Sequence, residues 1–235
     1  MPGSVANVDL RTRILEAAAD LLSRSAEADF STRAVCEAAG VGAPALYRQF
    51  GDKEGLLAAV VDRGFEKYLA GKRAAKPSAD PVRDLRAGWD NHVAFAVDNP
   101  NYYRLMYSGL STPPGAAAEA HSLLLAVLER CAAAGLLTLP PSLAAQMVMA
   151  ANAGVALSLI TRPELYPDPG FSARVRESVL AGVLAEEPSR PADDVAATAT
   201  TLAARLRETP PADLTAAEAT LLQEWLARLS VHSGR

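Results

Sequence analysis

Residues 30–57 read FSTRAVCEAAGVGAPALYRQFGDKEGLL, and the spacing of their apolar side chains decides the fold of the amino-terminal part. Thr32, Val35, Cys36 and Ala39 recur at i, i+3, i+4 and i+7, one face of a short helix. Ser31 is placed to cap its start, and Gly40 stands just past its end, where a left-handed backbone costs glycine little. Val41 then plugs the core. Gly42 opens a second helix over residues 43–49, in which Leu46 and, one turn later, Phe50 face inward. Pro44 suits a first turn, where no backbone donor is lost. Ala43, Pro44, Ala45, Tyr47, Arg48 and Gln49 are left to face outward. Two short helices joined by a glycine-bounded turn make a helix-turn-helix, whose second helix is shaped to enter the major groove of DNA.

Upstream, Asp9 is a candidate N-cap for a helix in which Ile14, Ala18, Leu21 and Leu22 form one stripe, so three helices close around a small core. Downstream, Asp52 caps a longer helix, 52–73, carrying Leu56, Leu57, Val60, Val61, Phe65 and Leu69 inward. Lys53 falls in its first turn, where a cation opposes the helix dipole. That placement points to an anionic partner such as phosphate, which the free N–H groups of the same turn also attract. The bland alternative is a solvated lysine.

These residues resemble the TetR family of bacterial regulators. The match runs over residues 11–62, from ILEAAADLL through AAGVGAPALYRQFGDKEGLLAAV, and its specific part is Tyr47 and Phe50 followed by Lys53 and Leu56–Leu57. The resemblance implies that Tyr47 and Lys53 contact DNA phosphate. The family usually has Ser or Thr where this chain has Gly42, so one hydroxyl cap, and a possible phosphate contact, is missing here. The expected DNA-binding set is Thr32, Arg33, Gly42, Ala43, Pro44, Ala45, Tyr47, Arg48 and Lys53. Within it Ala43, Pro44, Ala45 and Arg48 lie near base edges, and Thr32, Tyr47 and Lys53 on phosphate.

The chain has 235 residues, half of them hydrophobic, several times what one helix-turn-helix needs. Its net charge is -4, which is unexpected for a DNA binder until it is divided. Residues 1–76 hold 11 Lys+Arg against 10 Asp+Glu, and residues 77–235 hold 12 against 17. All four lysines, Lys53, Lys67, Lys72 and Lys76, fall in the first part, consistent with a local basic face. Cys36 and Cys131 each sit in an apolar helical stripe, as buried thiols in a reducing cytoplasm do. No secretory leader is evident. Residues 140–161 carry no charge and match a bilayer span in length, but Ala and Gly dominate and Gln146, Asn152 and Ser158 interrupt. A helix buried in protein is the expected reading, with no membrane partner.

Beyond Pro77 the pattern is wholly helical, with expected helices at 81–97, 101–109, 115–134, 142–160, 171–185, 191–207 and 215–230, and Pro or Gly at every junction. Thr215 and Glu218 form a capping box. The fold class expected is therefore all-α. Residues 1–73 form the DNA-binding domain, joined through a shared helix to a helical ligand-binding and dimerisation domain, 74–235. The segment LRAGWDNHVAFAVDNPNYYRLMYSG and the two helices 142–160 and 171–185 resemble the ligand domain of one TetR branch. That branch commonly has histidine where Ala153 stands, so its role does not carry over. Residues 187–235 extend past the usual family pattern as an added two-helix unit.

Catalytic readings are weak. His92 has Asp90 and Asp98 near it in sequence, and His121 and Cys131 lie ten residues apart, about 15 Å along a helix. No nucleophile motif, phosphate-cradling loop, CxxC or HxxxH accompanies them, so no enzyme, metal or cofactor is expected. A more productive grouping is Trp89, His92, Phe95, Tyr102, Tyr103, Met106, Leu124, Met147 and Asn152, whose mixture of aromatic, polarizable and hydrogen-bonding groups suits a ligand pocket, although aromatic stripes also pack ordinary cores. Few charges lie among them, and the expected effector is an uncharged or weakly charged, partly aromatic molecule. The expected interface of a homodimer is the helices 142–160 and 171–185, with Ala150, Ala151 and Gly154 allowing close approach and Val175, Val179 and Val183 repeating on the second. The function so read is a cytoplasmic, sequence-specific transcription regulator, a repressor released from a pseudo-palindromic operator by a small molecule. The alternative is an all-helical small-molecule-binding protein or enzyme with a residual DNA-binding fold.

Overall fold

A computed structural model describes residues 3–25, 28–108, 115–185, 195–211 and 213–231. Their secondary structure is helical: α1 (Gly3–Ser23), α2 (Thr32–Ala39), α3 (Ala43–Phe50), α4 (Lys53–Ala74), α5 (Pro81–Asp98), α6 (Pro100–Met106), α7 (Gly115–Ala133), α8 (Pro141–Thr161), α9 (Phe171–Val183), α10 (Val195–Glu208) and α11 (Ala216–Val231). A 3-10 turn, Pro163–Leu165, follows α8, and Leu137 and Leu184 form an isolated antiparallel bridge. The all-α expectation holds.

The contacts divide the chain into two compact units, Met1–Ala75 with Phe95–Ala120, and Lys76–Ala94 with His121–Arg235. In the first, Ile14, Ala18 and Leu22 of α1, Val35 of α2, Leu46 of α3 and Leu56, Val60, Val61 and Phe65 of α4 are fully buried together with Tyr103 of α6. Val41 is only half-buried, and Phe50 is partly covered by the Arg11 guanidinium, 4.9 Å above its ring. α1 begins at Gly3, so Asp9 lies inside it and is not its cap. α6 packs on this unit through Asn101, whose Nδ2 donates to the carbonyls of Leu22 and Ser25 at 2.9 Å and so satisfies acceptors at the end of α1.

The second unit is built on Leu85 and Trp89 of α5, Leu128 and Cys131 of α7, Ala144, Ala145, Val148 and Val155 of α8, and Leu180 and Val183 of α9. Its polar ties are specific. Arg130 donates to the Asp84 carboxylate at 2.6 Å and to the Ser78 carbonyl, and Arg86 grips Glu177 of α9 at 2.9 Å. Hydrogen bonds from Ser78 and Arg130 hold the Asp84 carboxyl at about 2. α9 ends two residues short of expectation because Leu184 leaves the helix to bridge Leu137, with Ala185 N–H donating to the Leu136 carbonyl. α10 and α11 pack on each other through Ala199, Ala203, Leu222 and Leu226. Thr215 and Glu218 form the expected reciprocal cap, with Thr215 N–H donating to Glu218 at 2.8 Å and Glu218 N–H to Thr215 Oγ1 at 3.3 Å. α8 is long and apolar enough to cross a membrane, yet nine of its residues are buried within this unit.

Candidate nucleic-acid interface

The turn between α2 and α3 is set by caps. Ser31 Oγ accepts from Ala34 N–H at 3.1 Å, and Gly40 adopts φ 63°, its N–H donating to the Glu37 carbonyl. A side chain at Gly40 would be strained, because L-residues seldom take this left-handed conformation. Arg13 of α1 adds what no local spacing announces: its Nη2 donates to the Ala39 carbonyl at 2.6 Å, fastening the end of α2. Gly42 caps α3 without a side-chain hydrogen bond, as the missing hydroxyl implies, and Pro44 occupies the first turn.

α3 turns Leu46 fully inward and leaves Ala43, Pro44, Tyr47 and Arg48 exposed, with Ala45 half-exposed. The Thr32 and Tyr47 hydroxyls stand 3.5 Å apart, so α2 and α3 bring two of the expected phosphate-facing groups together. Arg33 points outward and pairs with Glu37 at 2.9 Å. At the start of α4, Asp52 accepts from Gly55 N–H at 2.7 Å. Gly55 is required by space, since a Cβ there would stand 2.1 Å from the Phe50 carbonyl oxygen. This close approach fixes the angle at which α3 leaves α4.

Lys53 does have an anionic partner, and it is internal: its Nζ lies 2.9 Å from the Asp29 carboxylate. Burial pushes the Asp29 carboxyl up, but hydrogen bonds from Lys53 and the Phe30 N–H, with the lysine charge, bring it below its ordinary value. Both side chains are about half exposed, so the pair is exchangeable and a phosphate can take the place of Asp29. Asp29→Asn is therefore expected to strengthen binding to all DNA sequences, by releasing Lys53. Lys53→Ala should weaken it uniformly and lower the salt slope by roughly one per subunit. Titration of DNA at several salt concentrations checks both; equal slopes for wild type and Lys53→Ala contradict the assignment.

Residues 14–60 match the family model described as bacterial regulatory proteins, tetR family. The amino-terminal domain is of the tetR family. No relative is matched among the curated proteins. Among solved structures, the chain is similar to the transcriptional regulator FadR from Bacillus subtilis in complex with stearoyl-CoA, with 16% identity, TM-score 0.60, and 73% of this chain and 98% of that one covered. It is similar to a TetR variant from Acinetobacter baumannii in complex with minocycline, with 20% identity, TM-score 0.56 and 73% and 94% covered. It is also similar to NalD, the secondary repressor of the MexAB-OprM multidrug efflux pump in Pseudomonas aeruginosa, with 18% identity, TM-score 0.55 and 78% and 100% covered. At these identities the likeness is one of fold, a tetR-family transcription-regulator fold. Each of these chains is matched nearly whole while a fifth or more of this one lies outside.

The residues expected to line a pocket fall in both units. Phe95, Tyr102, Tyr103 and Met106 belong to the first, and Trp89, His92, Leu124, Met147 and Asn152 to the second. Phe95 lies 4.4 Å from Phe65 and 4.8 Å from Tyr68, ring centre to ring centre. In the second unit Trp89, His92 and Asn152 are buried. Trp89 Nε1 donates to Ser172 Oγ at 3.1 Å, and Asn152 Nδ2 reaches the Trp89 carbonyl at 3.3 Å. Among the described residues no hydrogen-bond donor reaches the buried Asn152 Oδ1, which leaves it an unsatisfied acceptor. Leu124 packs at the edge of the core. Met147 lies 40% exposed in a shallow apolar groove with Ala150, Ala151, Val175, Val179 and Gly182. Val183, expected on this face, is instead fully buried in the core. Among the described residues no group of three or more His, Cys, Asp or Glu side chains is placed to hold a metal.

Proposed function

We propose that the protein is a cytoplasmic, homodimeric, sequence-specific transcription regulator, a repressor that a small-molecule effector releases from a pseudo-palindromic operator. The observation that carries the reading is the exposed α3 face, backed by buried Leu46 and flanked by Tyr47 and Lys53, in a segment matched to the tetR family. In this reading residues 1–73 serve DNA and residues 74–235 serve ligand and dimer. Ala43, Pro44, Ala45 and Arg48 meet base edges, while Thr32, Tyr47 and Lys53 meet phosphate.

The dimer forms on the α8–α9 groove. Its lining is mostly apolar, with Arg174 and Ser178 as the polar members, Gly154 is exposed on the same helix, and an isologous pairing of two such helices makes a four-helix bundle. The effector binds among the buried Trp89, His92 and Asn152 side chains, where the unsatisfied Asn152 Oδ1 supports a ligand that brings a hydrogen-bond donor. Stearoyl-CoA and minocycline in the two similar structures support a small-molecule effector as a class. The chain performs no chemistry. A mobility shift with DNA from around its own coding region tests the reading: a discrete complex that survives excess unrelated DNA is expected, and a shift abolished by unrelated DNA contradicts it.

A further inference from the structure

Most arginines of the first unit are committed to an oxygen acceptor. Arg13 ties the Ala39 carbonyl, Arg24 pairs with Asp20, Arg33 with Glu37, Arg63 with Glu16, and Arg73 with both Glu66 and Glu119. Arg48 and Arg11 differ. Among the described residues neither has a carboxylate or carbonyl set against it, and the contact that holds Arg11 is aromatic: its guanidinium carbon lies 4.9 Å above the centre of the Phe50 ring.

The place of Arg11 follows from two helical periodicities. On α1 it precedes the buried Ile14, Leu15 and Ala18 by three, four and seven residues, so it continues their inward stripe to the point where the core gives out. On α3, at about 100° per residue, Phe50 falls between the direction of buried Leu46 and that of exposed Tyr47, on the same side as Ala43. Phe50 is half-buried and Arg11 is exposed. The guanidinium thus stands at the rim of the exposed α3 face, on its Tyr47 side. Two residues along α1, Arg13 Nη2 lies 3.6 Å from where a Cβ on Gly40 would be, which sets this end of α1 against the turn between α2 and α3.

A ring face attracts a cation without using up its directed N–H donors, whereas a carboxylate takes both the charge and the donors. An arginine held in this way keeps its charge and its fork of donors for an oxyanion, with part of its side-chain freedom already surrendered. Lys53 is the contrast, since it must leave Asp29 before it meets phosphate. We infer that Arg11 is a further phosphate contact of the DNA-binding face, positioned by the Phe50 ring beside Tyr47. It extends the footprint from α2, α3 and the start of α4 onto α1. The inference rests on the DNA-binding reading and adds a residue to it. If Arg11 served only as a lid on the ring, its aliphatic stem would do the work, and removing the charge would leave the salt dependence of DNA binding where it was.

The test measures binding of the full-length protein, over a range of salt concentrations, to DNA from around its own coding region and to an unrelated duplex of equal length. Arg11→Gln should weaken both by about tenfold, leaving their ratio unchanged, and should lower the salt slope by roughly one per subunit. Arg11→Lys should keep the slope, because the charge remains. Joined to Lys53→Ala, Arg11→Gln should lower the slope by roughly two per subunit, as two separate phosphates require. In a Phe50→Leu background, which keeps an apolar side chain and removes the ring, the effect of Arg11→Gln should shrink to about threefold or less. Arg24→Gln, which breaks an ion pair at the other end of α1, should leave the slope alone. An unchanged slope in Arg11→Gln, whatever its melting temperature, overturns the inference. So does a weakening confined to one of the two DNAs, an undiminished effect in the Phe50→Leu background, or an equal loss of slope in Arg24→Gln. Sequence-specific binding by the wild type with any of these results removes only this contact, whereas a wild type that does not prefer its own DNA removes the reading beneath it.

Discussion

Gly55→Ala is expected to destabilise the amino-terminal unit by about 3 kcal/mol, at the upper end of what overpacking costs, and to remove operator binding with it. The added methyl would stand 2.1 Å from the Phe50 carbonyl oxygen, a backbone atom that cannot rotate away as a side chain does. Either α4 retreats from the end of α3 or the first turn of α4 unwinds, and both change the angle at which Tyr47 and Arg48 are presented. The control lies on the same helix. A Cβ at Gly71 meets nothing within 4 Å, so Gly71→Ala should be neutral or stabilising by up to about 1 kcal/mol, the gain in helix propensity. Thermal unfolding of the two variants decides the matter, and equal melting temperatures would show that the α3–α4 junction is not held by this contact.

The second large effect concerns the dimer. Met147→Glu with Ala150→Glu puts two carboxylates into the shallow groove between α8 and α9, and symmetry brings them against their copies, where like charges are strongly disfavoured, the one cation of the lining, Arg174, being already paired with Asp168. The protomer should stay folded, since both residues are exposed and leave the core of Leu128, Val148, Leu180 and Val183 untouched. Light scattering should report a monomer with wild-type helicity. Operator affinity should fall by 100-fold or more, because the second half-site is no longer bound at a high effective concentration. An unchanged dimer would place the interface elsewhere, with the exposed Leu221, Trp225 and Leu229 stripe of α11 as the first alternative.

What the sequence disclosed follows from the range of the interactions involved. Ser31, Gly40, Asp52 and the Thr215–Glu218 box act within four residues, so their spacing alone places them, and the hydrogen bonds are where that spacing puts them. The inward stripe of α4 is equally legible, because six apolar residues on one helical face leave one way to pack. Asp9 misleads for the same local reason: a good capping residue also tolerates a helix interior, and the chain ahead of it is helical from Gly3. Val183 fails through geometry. A four-residue repeat on a helix of 3.6 residues per turn drifts by about 40° per step, so the third valine has turned from the groove into the core. The ion pair of Lys53 with Asp29, the Arg13 tie on Ala39 and the Asn101 tie on α1 span 24, 26 and more than 70 residues, and nothing in their neighbourhoods announces them. For the pocket, the sequence groups residue types, but only the fold assigns Phe95 and Tyr103 to one unit and Trp89 and Asn152 to the other.

Whether α3 reads an inverted repeat is decided by selection from a random DNA pool with the full-length protein. Enrichment of two inverted half-sites with centres about one helical turn, 34 to 36 Å, apart is expected. Arg48→Ala should relax the same base position in both halves, at a cost of roughly 1 to 3 kcal/mol if the arginine contacts its base with two hydrogen bonds. Recovery of sequences without twofold symmetry, or of an unchanged motif with Arg48→Ala, would contradict this role of α3.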